Sequence, residues 1–284
     1  MGFFKELIEA IKEGRAEAKE ELAQEAAKQE ASKKSDEAER TAFLDSIPYG
    51  ERFGMALAAP FRVSVFLDWF TVWKNDDHTD DEFPRHLYAI SPGGLLQKSD
   101  LKALKKALAR DFSISDESSA LCIIGQIFDG GAIPSATEFP EYDRKTTNYG
   151  DYARPLYGAN YLDEDGRKNG LTLVANMAAH AVAGSVDLGY ITLDVGLSLL
   201  RDVGAFVKSL YGPDGSWAEY GTRFLAANDI FELNDKKAME LLGKYVHKLC
   251  EKPGSPWVNV PFYIDGENIT PFEDLVDPPI FPEL

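Results

Sequence analysis

Cysteine is nearly absent from this chain of 284 residues: there are two, Cys122 and Cys250, and neither has a CxxC partner. That excludes a disulfide framework and a zinc cage, and the pair reads as small buried hydrophobes in a reducing compartment. Positive charge is in deficit, with 30 Lys and Arg against 47 Asp and Glu and a formal net charge of −17. Such a surface repels phosphate, which argues against nucleic acid and acidic lipid and leaves basic proteins, cations or no particular partner. Long apolar runs are missing too. The richest stretch, 53–73, is interrupted by Pro60, Arg62 and Asp68, so it falls short of the roughly 20 apolar residues of a membrane span. It predicts a buried helix, or a helix pair broken near Pro60.

Signatures of chemistry and targeting are equally sparse. There is no Gly-rich phosphate loop, HExxH pair, GxSxG elbow or kinase set, so no cofactor and no metal are implied. Lys5 and Glu6 follow Phe3-Phe4 at once, leaving no secretory apolar core, and Glu6 stands where a myristoylation motif wants Ser or Thr. The expected setting is cytoplasmic. An acidic run from Asn75 to Glu82 is rich in oxygen ligands but lacks EF-hand spacing, and reads as solvated charge.

What the sequence has is helix punctuation. Residues 1–40 carry eight basic and eleven acidic residues, many alanines and no proline, which predicts a long protruding helix. Only its start has an apolar stripe, Phe4, Leu7, Ile8 and Ile11, so 1–14 reads as a docking helix and 15–40 as a solvated spacer. The stripe suits packing within the chain or self-association. Membrane contact fits less well, because Glu6, Glu9 and Glu13 outnumber Lys5 and Lys12 on the polar side.

Residues 41–284 read as one mainly α domain. Ser99 and Asp100 open a helix with Leu101, Leu104 and Leu108; Ser115 caps a second, stopped by Gly130-Gly131, and the two form a helical hairpin. Residues 129–166 read as loop. A helix carries Leu171 to Val182 and closes near Gly184 or Gly189. Thr192 opens the next, which ends at Gly212-Pro213, and Ser216 to Glu219 is a capping box. Trp217, Tyr220, Phe224, Ala227 and Phe231 share one stripe, and Asn234 caps a last helix that stops at Pro253-Gly254. Val258–Ile264 is the one fair strand candidate, and the Pro-rich tail from Gly254 reads as extended across the helices.

Few residues could carry function. Asn176 and His180 lie one turn apart on one helical face, a spacing that could hold a polar ligand group or move a proton, or tie neighbouring helices together. Trp217, Tyr220 and Arg223 combine aromatics with arginine, as binding hot spots do, although the stripe with Phe224 also makes the aromatics core anchors. Asp187 and Asp194 flank Gly189-Tyr190, but Asp194 is better explained as an electrostatic cap.

The order of motifs carries a resemblance. Gly189-Tyr190-Ile191-Thr192 opens one helix and Ser216-Trp217-Ala218-Glu219-Tyr220-Gly221 the next. Ser255-Pro256-Trp257 and Val260-Pro261-Phe262 close the set. Over roughly 99–262 the chain resembles the bacterial family named domain of unknown function 1266, including the link Phe112-Ser113-Ile114-Ser115 between Lys102 and Ile127. The resemblance implies a helical fold in a bacterial cytoplasm and brings no reaction. The expected function is a non-enzymatic protein-binding or accessory module with an acidic surface. A small-molecule enzyme or sensor built around Asn176 and His180 is the alternative, and peripheral membrane attachment through residues 3–11 a second.

Overall fold

Proline 60 sets the first feature of the architecture. Its ring blocks a continuous helix, and the apolar stretch divides into α1 (Tyr49–Leu57) and α2 (Ala59–Phe66) with the turn at Ala58. The computed structural model describes 41–66, 98–131, 133–141, 162–231 and 236–271, together with isolated positions such as Gln24, Glu25, Ile90, Leu96, Pro155 and Gly158. The chain forms two compact units, Met1–Ser46 and Ile47–Leu284. In the first, every described position from Gln24 to Ser46 is helical. The docking stripe Phe4, Leu7, Ile8 and Ile11 lies outside the described residues, as do the acidic run 75–82, Asn234 and the tail beyond Pro271.

In the second unit α3 (Lys98–Phe112), α4 (Glu117–Gly131), α5 (Glu164–Asp187), α6 (Leu193–Tyr211), α7 (Trp217–Ile230), α8 (Lys236–Glu251) and the single turn α9 (Pro256–Asn259) follow. The unit is mainly helical, with no strand among the described residues. Its centre is α5, buried without interruption from Gly170 to Ser185 and packed against α1, α2, α3, α4, α6 and α7. A helix buried on all sides belongs inside a bundle, and Ala175, Ala178, Ala179, Ala181 and Ala183 let six neighbours come close.

Several boundaries differ from the sequence expectation for local reasons. The N-cap of α4 is Asp116 rather than Ser115: Asp116 Oδ1 accepts from Ser119 N at 2.8 Å, and Ser119 Oγ accepts from Asp116 N at 3.0 Å. Helix α5 starts at Glu164, inside the stretch read as loop, because Asp163 caps it through Gly166 N at 2.8 Å. At its far end Tyr190 N bonds Ser185 O and Gly189 N bonds Val186 O, a Schellman closure that needs the positive φ of 71° at Gly189. Helices α3 and α4 both pack on α5, and α3 also packs on α2. The strand expected at Val258–Ile264 is overturned: Ser255 caps a helical turn that begins at Pro256.

The segment after α9 is fixed by side chains. Tyr49 OH donates to Pro261 O at 2.9 Å, with Phe262 O at 3.0 Å, and Trp217 Nε1 donates to Val260 O at 2.7 Å. Phe262 then closes a cluster with Phe53, Tyr211 and Trp217, its ring centroid 4.9–5.6 Å from theirs.

Candidate functional site

One face of α5 carries a polar file at four-residue spacing: Lys168, Thr172, Asn176 and His180. Because 3.6 residues make a turn, these side chains lie above one another with a slow drift. At the outer end Lys168 Nζ reaches Glu219 Oε1 at 3.2 Å. One turn inward, Thr172 Oγ1 donates to Lys168 O at 2.8 Å, which leaves Tyr211 OH, at 2.6 Å, as the donor to Thr172 Oγ1. Burial raises the Tyr211 phenol above its ordinary pKa and keeps it protonated for that role.

Asn176 repairs the broken helix. Its Nδ2 donates to Leu57 O, the last residue of α1, at 2.6 Å, and a longer contact of 3.4 Å reaches Tyr220 OH. Its neighbour in that task is Trp257, whose Nε1 donates to Ala56 O at 2.9 Å. Ala56 is four residues before Pro60, which has no N–H to offer. The proline thus leaves Ala56 O without its helical donor, which Trp257 replaces, while Asn176 reaches the next carbonyl at the break.

His180 is 1% exposed and sits between Phe61, stacked with ring centroids 5.5 Å apart, and Phe112 at 5.7 Å. Burial, reinforced by the Arg62 cation, pushes its pKa down to about 3, so the imidazole is neutral at pH 7. Its Nδ1 and Asn176 Oδ1 have no hydrogen-bond partner among the described residues. At the end of the helix Arg62 Nη2 meets Asp187 Oδ2 at 2.6 Å, with both side chains fully buried. Asp187 is therefore turned inward to a cation, while Asp194 is exposed in the first turn of α6; the two carboxylates do not form a working pair.

The other expected residues also have structural tasks. Trp217 lies flat on Trp257, 5.1 Å between centroids at an interplanar angle of 5°, and stacks on Phe53 at 4.9 Å. Tyr220 is fully buried. Arg223 spans from Glu219 at 2.9 Å to Asn169 at 3.1 Å and Asp165 at 3.3 Å. Ser216 Oγ accepts from Glu219 N as expected, but the Glu219 carboxylate turns to Lys168 and Arg223 instead of completing the box.

Sequence reasoning missed two ion pairs. In the sequence Arg62 is only a charge that interrupts an apolar run, and its partner is 125 residues away. Lys208, 5% exposed on α6, places its ammonium 4.0 Å from the Tyr49 ring centroid and 4.6 Å from that of Phe53, and pairs with Glu267. Burial lowers the Lys208 pKa against the pull of Glu267. The Lys208 ammonium was hidden because its helix otherwise shows a regular apolar stripe.

An open cleft of about 500 Å³ adjoins the end of α4, lined by Phe128, Ile133, Ser135, Thr137, Phe139 and Glu141 among others. Ser135 Oγ donates to Asp202 Oδ2 at 2.8 Å beside it. None of Asn176, His180, Trp217, Tyr220 and Arg223 lines this cleft. Among the described residues no three of His, Cys, Asp and Glu gather as a metal would require, and no helix is long and apolar enough to cross a membrane. No family model, curated protein or solved structure matches the chain.

Proposed function

We propose that the protein is a non-enzymatic accessory module of the bacterial cytoplasm that receives a basic protein partner on its acidic surface. The observation that carries this is the exposed acidic triplet Asp163, Glu164 and Asp165 at the start of α5, with Asp116, Glu117, Glu138, Glu141, Asp214 and Asp229 also turned to solvent. Asn176, His180, Trp217 and Tyr220 meanwhile serve the interior. Surface charge of one sign steers a partner of the other and makes the complex salt-sensitive. A pull-down with the full chain at low ionic strength tests this. The expected result is capture of Lys- and Arg-rich proteins that are released as salt is raised. Capture of nothing overturns it.

The resemblance to the family of domain of unknown function 1266 belongs to this proposal, and so does self-association through Phe4, Leu7, Ile8 and Ile11. Sedimentation of the full chain against one lacking 1–14 tests the latter, and liposome flotation of the same two chains separates it from membrane attachment.

One observation favours the small-molecule reading: Asn176 Oδ1 and His180 Nδ1 are buried polar atoms without partners among the described residues, and such atoms generally mark a bound water or polar group. Ordered density bridging the two in a crystal structure supports it, and a dry contact removes it.

A further inference from the structure

Positive charge is scarce in this chain, yet it is gathered rather than dispersed. Helix α3 holds five basic and two acidic residues within fifteen. Its inner arc, Leu104, Ala107, Leu108 and Phe112, is buried against the bundle. Opposite lie Lys98, Lys102, Lys105, Lys106 and Arg110, all exposed. At 100° per residue these five fall within an arc of about 140°, centred opposite the buried side, and they run about 18 Å along the helix. Arg110 is engaged by Asp111 at 2.7 Å. Lys98, Lys102, Lys105 and Lys106 have no carboxylate within ion-pair distance among the described residues.

Four ammonium groups on one face, without an ion-pair partner among the described residues, repel one another and, in a protein of charge −17, are not what solubility calls for. At about 0.1 M salt the screening length is about 10 Å, so a ligand arriving at α3 feels the local cations more than the distant acids. We propose that the outer face of α3 is a docking surface for an acidic segment of a partner protein. It is separate from the acidic surface assigned above and independent of that assignment.

The composition of the face selects this partner class. Insertion into lipid needs large apolar side chains beside the cations, and Leu104, Leu108 and Phe112 of α3 are buried within the bundle. Nucleic-acid binding draws on stacking aromatics and arginine forks; this face has no aromatic residue, and its single arginine is engaged. Lysines at i, i+4, i+7 and i+8 are flexible point charges that match a run of carboxylates without demanding a fixed geometry.

The test is binding of a fluorescent polyglutamate peptide of about 20 residues to the full chain at about 0.1 M salt. A triple variant Lys102→Glu, Lys105→Glu, Lys106→Glu is compared with Lys236→Glu, Lys244→Glu, Lys248→Glu on the exposed side of α8, which changes net charge equally. The corresponding alanine triple on α3 guards against a folding defect, and circular dichroism reports helicity. Expected are salt-sensitive binding by the natural chain, a loss of roughly tenfold or more in the α3 glutamate triple, an intermediate loss in the alanine triple, and little change in the α8 triple. The proposal is overturned if the natural chain does not bind the peptide or if the α3 variants bind it equally well. Equal loss in the α8 triple, or tighter binding to phosphatidylserine vesicles or duplex DNA than to polyglutamate, overturns it as well.

Discussion

Asn176 on α5 donates its side-chain N–H to the backbone carbonyl of Leu57, 119 residues earlier, at 2.6 Å. The bond joins the buried centre of the bundle to the broken end of α1. Removing the donor leaves a desolvated carbonyl, which costs about 1–3 kcal/mol, and truncating the side chain adds a cavity. Asn176→Ala and Asn176→Leu are both expected to lower stability by about 2–4 kcal/mol in urea denaturation. Asn176→Asp is the sharper test: the shape is kept, but a carboxylate cannot donate to a carbonyl and carries a buried charge. It should be at least as destabilising at pH 7 as Asn176→Ala. A near-neutral Asp variant would show that the Leu57 bond is not what the residue supplies.

His180 makes stability depend on pH with a defined sign. Its pKa is about 3 in the folded chain against 6.5 for an ordinary histidine. Between these values the unfolded chain binds a proton that the native chain refuses, so stability falls as pH drops. The full contribution is present above about pH 6.5, and about 1.4 kcal/mol is lost per unit below it from this one group. Carboxylates also titrate in acid, so the informative quantity is the difference between the natural chain and His180→Phe, which keeps a flat ring between Phe61 and Phe112. That difference should be constant from pH 8 to 6.5 and then shift in favour of the variant. A flat difference down to pH 5 would mean that His180 protonates in place.

The helices were legible because their punctuation is local. Thr192 and Ser216 accept hydrogen bonds from Val195 N and Glu219 N, and Gly212 ends α6 with φ of 67°, all within four residues of the cue. The aromatic stripe Trp217, Tyr220, Phe224, Ala227 and Phe231 is likewise buried throughout, because helical period is a one-dimensional property. What stayed hidden depends on distant partners. Nothing near Asn176 announces the carbonyl of Leu57, and nothing near Arg62 announces Asp187. The strand expectation at Val258–Ile264 failed because alternation over so few residues yields to a serine cap followed by proline.

The Arg62–Asp187 pair should behave as a unit. Both side chains are fully buried at 2.6 Å, so removing one partner strands the other in the core. Arg62→Met or Asp187→Leu alone is expected to cost about 3–5 kcal/mol, whereas the double variant should cost much less than the sum. Chemical denaturation of the four proteins of this cycle gives a coupling of several kcal/mol if the reading is right. Additive losses would indicate that the two groups are held by other neighbours.

Two glycines inside helices should respond to alanine in opposite directions. A Cβ at Gly54 on α1 would lie 2.0 Å from Leu200 O and 2.5 Å from its carbonyl carbon, backbone atoms of α6 that cannot rotate away. The close approach of α1 to α6 therefore depends on the missing methyl, and Gly54→Ala must push the two helices apart. The expected loss is about 2–3 kcal/mol, at the upper end for overpacking, because the obstacle is main chain. Gly243 lies in the interior of α8 with nothing within 4 Å of the corresponding position. Alanine there meets no obstacle and restricts the unfolded chain, so Gly243→Ala should raise stability by about 0.5–1 kcal/mol. Thermal melts of the two variants should move to either side of the natural chain. If Gly54→Ala melts with the natural protein, α1 and α6 are not in the contact that places Leu57 O beside Asn176.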